Sequence, residues 1–242
     1  MEITPLASGS TGNCYRIDCA GRTLLIECGI RYPEIQRGLG FQVSKLDGCL
    51  ISHEHGDHSK AVKQMMKAGV DCFMSAGTLT ALFPERPTSS HRAIDVEPLR
   101  TFYPGSNATS TSYWQVLPFE TQHDAAEPLG FLIARAGRKL LYATDTFYLK
   151  YRFEGLTHVM LEINYAEDIL AERVAAGDVH RSLRRRIAGS HMSLKTALNF
   201  FRANDMSRVQ AIYLLHLSDG NSDAGRFKDE VAAVTGKPVY VC

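Results

Sequence analysis

The residue pattern predicts a mixed α/β (α+β) fold in a single domain spanning residues 1–242, and three observations carry that reading. Short strand-like runs dominate the first half. Strand and helix patterns alternate through the second half. No linker or low-complexity stretch interrupts the chain, and no internal repeat is visible.

Strands are expected at Glu2 to Leu6, Cys14 to Asp18 and Thr23 to Glu27, with Ala20-Gly21-Arg22 turning between the last two. Pro33 to Leu39 reads as a short helix, and Cys49 to Ser52 as the next strand. Lys60 to Lys67 has helical apolar spacing behind a capping Ser59. Strands follow at Asp71 to Ser75, Leu99 to Phe102, Tyr113 to Leu117, Gly130 to Ala134 and Lys139 to Thr144, the last two joined at Ala136-Gly137-Arg138. Thr157 to Ile163 is a strand, and Ala166 to Ala176 and Arg181 to Ile187 are helical. Leu194 to Ala203 is a helix behind a Ser193 cap. Strand Ala211 to Leu215, helix Gly225 to Val234 and strand Val239 to Val241 close the sequence.

The chemistry concentrates in Ile51-Ser52-His53-Glu54-His55-Gly56-Asp57-His58, directly after the apolar run Gly48 to Ile51. Neutral imidazole and carboxylate suit Zn²⁺, Mn²⁺ or Fe²⁺. Residues i and i+2 share a face at a strand end but not on a helix, so His53 and His55 can grip one ion. Gly56 is expected to let the chain turn sharply and re-aim Asp57 and His58 at a second point nearby. Two ions about 3.5–4 Å apart would be the natural outcome. The bland alternative is a histidine-rich surface loop.

Further ligands stand in similar settings. His123 follows the strand-like Tyr113 to Leu117, Asp145 ends Lys139 to Thr144, and His216 ends Ala211 to Leu215. Each sits at the C-terminal end of an expected buried strand, where rigid sheets place catalytic groups. Any one of them alone could be an ordinary half-buried polar residue.

The motif His53-Glu54-His55-Gly56-Asp57-His58, followed by His123, Asp145 and His216, resembles the metallo-β-lactamase superfamily across nearly the whole chain. Within it the sequence is most similar to the YycJ (WalJ) group of small single-domain members. That choice rests on Leu6-Ala7-Ser8-Gly9-Ser10-Thr11-Gly12-Asn13, on His123-Asp124-Ala125 with Glu127-Pro128 and Gly130-Phe131, and on Leu215-His216-Leu217-Ser218-Asp219. The resemblance implies a four-layer αβ/βα sandwich. It implies that His53, His55 and His123 bind one divalent ion, that Asp57, His58 and His216 bind another, and that Asp145 bridges them. Members usually carry an aspartate where this chain has Glu27. The longer carboxylate is expected to support the ligands from behind, with geometry and metal preference altered.

Composition fits a cytoplasmic enzyme: 45% hydrophobic, 22% charged, net charge +1. No apolar stretch approaches the roughly 20 residues needed to span a bilayer, and no secretion signal is evident. The six cysteines form no Cys-x-x-Cys pair and read as buried free thiols.

Substrate choice draws on weaker features. His180-Arg181-Ser182-Leu183-Arg184-Arg185-Arg186 could neutralise phosphates, with Arg184 and Arg185 as candidate contacts, or could be a solvated helix face. His191 follows, in Gly189-Ser190-His191-Met192-Ser193, as a phosphate ligand, a general acid or a residue beside a cap. In the YycJ group, whose members have been regarded as DNA exonucleases, a similar His-x-Ser element occupies this place. Ser10 and Asn13, in a small-residue loop, and Asn164, at a strand end beside Glu162, are further candidates for holding substrate.

The expected reaction is phosphodiester hydrolysis by a hydroxide that two cations generate at neutral pH, with Asp57 and His191 moving protons. The same site could instead hydrolyse a small ester, lactone, thioester or β-lactam, because fold does not fix substrate. A catalytically silent, metal-stabilised nucleic-acid-binding module is the third reading. Nucleic acid, DNA foremost, is the expected partner, and no membrane is.

Overall fold

Ala20 and Gly21, at φ 48° and 74°, form the two-residue left-handed turn expected between the second and third strands. The computed structural model describes residues 1–85, 92–105 and 113–242. Its strands belong to two mixed sheets. By contacts the chain divides into two units, Met1–Glu120 with Ala125–Arg138, and Thr121–Asp124 with Lys139–Cys242.

In the first unit, β1 (Glu2–Ala7), β2 (Cys14–Cys19) and β3 (Arg22–Ile26) pair antiparallel. β4 (Leu46–Leu50), β5 (Cys72–Met74) and β6 (Ala93–Asp95) continue from β3 in parallel. Parallel neighbours need crossovers. These carry α1 (Tyr32–Gly38), α2 (Gly56–Ser59), α3 (Val62–Lys67) and α4 (Ala76–Leu82). The apolar faces of α1 and α3 supply Ile35, Val62, Met65 and Met66 to a core that also holds Leu25, Ile51 and Met74. β7 (Gln115–Glu120) and β8 (Leu129–Arg135) form an antiparallel pair.

The second unit holds β9 (Arg138–Ala143), β10 (His158–Glu162), β11 (Ala211–Leu215) and β12 (Val239–Val241), parallel throughout. Every residue of β10 is buried, as expected for a strand covered on both faces. Around it lie α5 (Glu167–Ala176), α6 (Arg181–Ser190), α7 (Leu194–Ala203) and α8 (Ala224–Thr235). Ser193 caps α7 as expected, its hydroxyl accepting from Thr196 N–H at 3.2 Å. Among the described residues no helix is long and apolar enough to cross a membrane.

Several expectations need correction. Ser59 caps nothing: its hydroxyl donates to the Glu54 and His55 carbonyls, closing α2, and α3 starts after Ala61 without a side-chain cap. Leu99 to Phe102 is not a strand. Leu99 is left-handed at φ 62°, which breaks an extended run, and only a bridge from Phe102 to Val116 survives. β7 runs through Pro118, tolerated because β7 lies at a sheet edge. The sequence reading missed α4, whose N-cap is Ser75, and the three-residue β6. All six cysteines are free; five are buried and Cys242 is partly exposed.

Candidate metal centre

Each unit carries a group of imidazoles and carboxylates at the C-terminal ends of parallel strands. In the first unit, β4 ends at Leu50 and the chain delivers His53 and His55 side by side. His53 Nε2 lies 3.1 Å from His55 Nδ1, so the two rings turn nitrogens toward one point. The other nitrogen of His53, Nδ1, is held 2.9 Å from Ser52 Oγ, which fixes the ring. His55 then caps α2 from its backbone, and Asp57 and His58 occupy that helix. His58 has no exposed side-chain surface, whereas Asp57 keeps 24% of its own.

Glu27 stands behind this loop. β3 ends at Ile26, and Glu27 turns left-handed at φ 61° while its N–H donates to Leu50 O at 2.8 Å. Its carboxylate accepts from Ser52 N–H at 3.3 Å and faces His58 Nδ1 at 3.5 Å. The longer side chain therefore reaches the place where it can orient His58. Asn13, singled out above as a substrate contact, is fully buried. Its amide nitrogen lies 3.2 Å from His58 Nε2 and 3.0 Å from Gly9 O, while Tyr15 and Gly9 N–H donate to its oxygen. A side chain with that many neighbours and no surface braces the loop rather than touching substrate.

Gly56, expected to provide the sharp turn, does not. It is the first residue of α2, is not left-handed, and an added Cβ would meet nothing within 4 Å. The helix start turns the chain. The demanding glycine is Gly29, where a Cβ would sit 1.6 Å from Asp57 O and 2.7 Å from His58 N.

In the second unit, His123, Asp145, Glu162, His191 and His216 gather at the ends of β9, β10 and β11 and the C-terminus of α6. One ligand atom from each of Asp145, Glu162, His191 and His216 lies within 4.8 Å of the others. Asp145 and His216, each directly or shortly after a strand end, are left-handed at φ 46° and 53°. His123 Nδ1 is 3.1 Å from Ser190 O, which leaves Nε2 facing Asp145 Oδ2 at 3.6 Å. Asn164 donates to the His216 carbonyl at 2.9 Å and lies 3.3 Å from His216 Nδ1. It too positions a ring and is nearly buried.

Glu162, to which the sequence assigned no definite role, is the hub. Fully buried, it accepts from Thr146 N–H at 3.0 Å and Met192 N–H at 3.3 Å, and meets His191 Nδ1 at 2.6 Å. Its only sequence signal was its position at the end of a buried strand. Burial pushes the Glu162 carboxyl up, but His191 and His216 beside it together outweigh burial and leave it below its ordinary value. Burial likewise pushes the His191 imidazole down, and the Glu162 charge and hydrogen bond reverse that and raise it. His123 goes the other way: burial dominates the nearby Asp145 and Asp124 carboxylates and lowers it, favouring the neutral, ligating form.

Ser10, Arg184 and Arg185 are exposed, outside both groups. The donor set fits divalent cations. It mixes imidazole with carboxylate, it is largely buried, and the His53 and His123 rings are fixed through Nδ1 with Nε2 turned toward another imidazole or carboxylate of the set.

The fold and its imidazole–carboxylate donor set point to a hydrolase of the class that uses divalent cations. Residues 22–216 match the model of the β-lactamase superfamily domain, and the chain belongs to that superfamily of hydrolases. It is 26% identical over 231 residues to exodeoxyribonuclease YycJ of Bacillus anthracis, covering 92% of this chain and 84% of the relative. Among solved structures it is similar to the metallo-β-lactamase fold protein YhfI of Bacillus subtilis, with TM-score 0.72, 15% identity and coverage of 99% and 95%. The short form of human tRNase Z aligns with TM-score 0.62, 13% identity and coverage of 100% and 96%. At such identities the two structures establish the fold, the α/β metallo-β-lactamase sandwich expected above.

Proposed function

We propose that this chain is a dinuclear, metal-dependent phosphodiesterase that hydrolyses nucleic acid, with DNA as the favoured substrate. The observation that carries the reading is the alignment with an exodeoxyribonuclease over most of both chains, joined to an unbroken ligand series in this one. His53, His55 and His123 would hold one cation and Asp57, His58 and His216 the other, with Asp145 a further ligand. Zn²⁺ and Mn²⁺ are the favoured ions, with Fe²⁺ chemically admissible. Divalent cations bound there supply Lewis acidity and lower the pKa of water toward neutrality.

The chain's own residues do the rest. Asp57, the partly exposed carboxylate of the motif, orients the attacking water and accepts its proton. His191, raised by Glu162 and 19% exposed, carries a proton that it gives to the leaving oxygen. Glu162 keeps that ring in one orientation through Nδ1, leaving Nε2 for the substrate. Ser10 and the exposed Arg184 and Arg185 contact phosphates away from the scissile bond.

The test is release of nucleotides from single- and double-stranded DNA by metal-loaded protein, after elemental analysis has identified the metal. His55→Ala and Asp57→Ala abolish release while the protein stays folded. Full activity in either metal-loaded variant would refute the assignment. Turnover of a lactone or thioester panel with DNA left intact would refute the substrate class.

A further inference from the structure

Asp145 opens a loop whose sequence, Thr146-Phe147-Tyr148-Leu149-Lys150-Tyr151-Arg152, interleaves aromatic rings with cations. Large apolar side chains normally hide, yet Phe147 and Tyr148 are 38% and 52% exposed. Leu149, between them and Lys150, is buried and anchors the loop. Lys150 Nζ stands 5.1 Å over the Tyr151 ring, so the two side chains present one cation-and-ring surface.

This loop forms one wall of a cavity of about 300 Å³ in the second unit, lined by Tyr148, Tyr151, Lys150, Arg152, Met192 and Asn199 among others. Met192 directly follows His191, and Tyr148 lies three residues beyond Asp145, so the lining shares chain segments with the second-unit cluster. Its volume is at the small end of ligand sites, enough for one nucleotide-sized group. Its chemistry is selective. Aromatic faces suit the flat face of a base, Lys150 and Arg152 suit the phosphate attached to it, and Asn199 with Thr196 on α7 can bond the base edge.

We propose that this cavity is a nucleobase subsite. It stacks one unpaired base of a single strand on Tyr148 while Lys150 and Arg152 hold the flanking phosphate. The inference deepens the nuclease reading and rests on it for the identity of the ligand. A paired base cannot enter such a pocket without leaving its stack, so the subsite gives the protein a preference for single strands or frayed ends.

The test uses metal-loaded full-length protein and a fluorescein-labelled, hydrolysis-resistant phosphorothioate dT12, read by anisotropy. Tyr148→Ala weakens dT12 binding about 5- to 150-fold, Tyr148→Phe restores it, and a matching abasic strand binds wild type and Tyr148→Ala alike. Equal dT12 affinity in wild type and Tyr148→Ala overturns the proposal, and so does an equal loss on the abasic strand. Lys150→Ala with Arg152→Ala lowers the salt dependence of binding by about 0.7 per cation removed; an unchanged slope removes their role. Failure of the nuclease reading is distinguishable: dT12 then binds in a Tyr148-dependent way while unmodified DNA stays uncut.

Discussion

Gly29→Ala isolates the contact on which the metal loop depends. The added methyl would lie 1.6 Å from the Asp57 carbonyl oxygen, 2.2 Å from its carbon and 2.7 Å from His58 N. All three are backbone atoms, so no side-chain rotation relieves the clash, and ordinary contact requires the two segments to part by about 2 Å. The segment is tied by Asn13 N–H to Asp57 O at 2.7 Å, Cys28 N–H to His58 O at 2.9 Å and Gly29 N–H to Asn13 O at 2.8 Å. Breaking two of these in a buried setting strands donors at about 1–3 kcal/mol each. A loss of about 4 kcal/mol follows, or about 10 °C in Tm for a chain of this size. Asp57 and His58 would also move by more than the ~1 Å that already costs a positioned site about 100-fold in rate. The assay is calorimetry with metal content per chain. Gly56→Ala is the control, because its methyl points into open space on a helical residue and should change stability by no more than about 1 kcal/mol. Wild-type melting and metal content in Gly29→Ala would refute the reasoning, and so would equal losses in both variants.

Two further outcomes follow from the second unit. The Glu162 carboxyl is lowered, so its contribution is complete above its ordinary 4.5 and fades as pH falls through the shifted value. The His191 imidazole is raised, so its contribution is complete below its ordinary 6.5 and fades as pH rises through the shifted value. In chelator, Glu162→Gln should therefore cost most between about pH 4.5 and 6.5, about 3 kcal/mol for one partner of a buried pair. A pH-independent difference in Tm would contradict that pairing. Arg184 and Arg185 are exposed, so replacing both with alanine should leave Tm within about 0.5 kcal/mol of wild type. The same change should lower the salt slope of single-strand DNA binding by about 1.4. An unaltered slope would remove these arginines from the phosphate path.

Much of this was legible in the sequence, and what was missed has identifiable causes. Parallel strands such as β9 and β11 end in apolar runs, so their C-terminal ends, and with them Asp145 and His216, could be located by eye. The capped helix α7 announced itself through Ser193 and apolar spacing. Glu162 carried no such mark. A buried carboxylate that bonds two backbone N–H groups and a histidine 29 residues away looks, in sequence, like any polar residue at a strand end. Asn13 misled for the same reason: a small-residue loop signals backbone access to a ligand, and nothing in the string reveals that its amide reaches His58 across 45 residues. Gly56 drew attention because it stands inside the motif. Gly29 passed unremarked because its constraint is the approach of another segment, not its own φ.

The left-handed residues link the fold to its chemistry. Ala20 and Ala136 adopt that conformation in tight turns beside Gly21 and Gly137. Glu27, Asp145 and His216 adopt it at the ends of strands, where glycine would serve the backbone better. Each costs about 1–2 kcal/mol in an L-residue. The cost is tolerated because the turn ends strand pairing abruptly and swings a carboxylate or imidazole out of the strand's alternation. Hydrogen bonds then lock the result, as when Glu27 donates to Leu50 O and receives Ser52 N–H. Three strained residues, each presenting a charged or ligating group, argue for selection on the groups themselves. A fold built for stability alone would place glycine or asparagine there, and would lose the side chains that meet His58, His123 and each other.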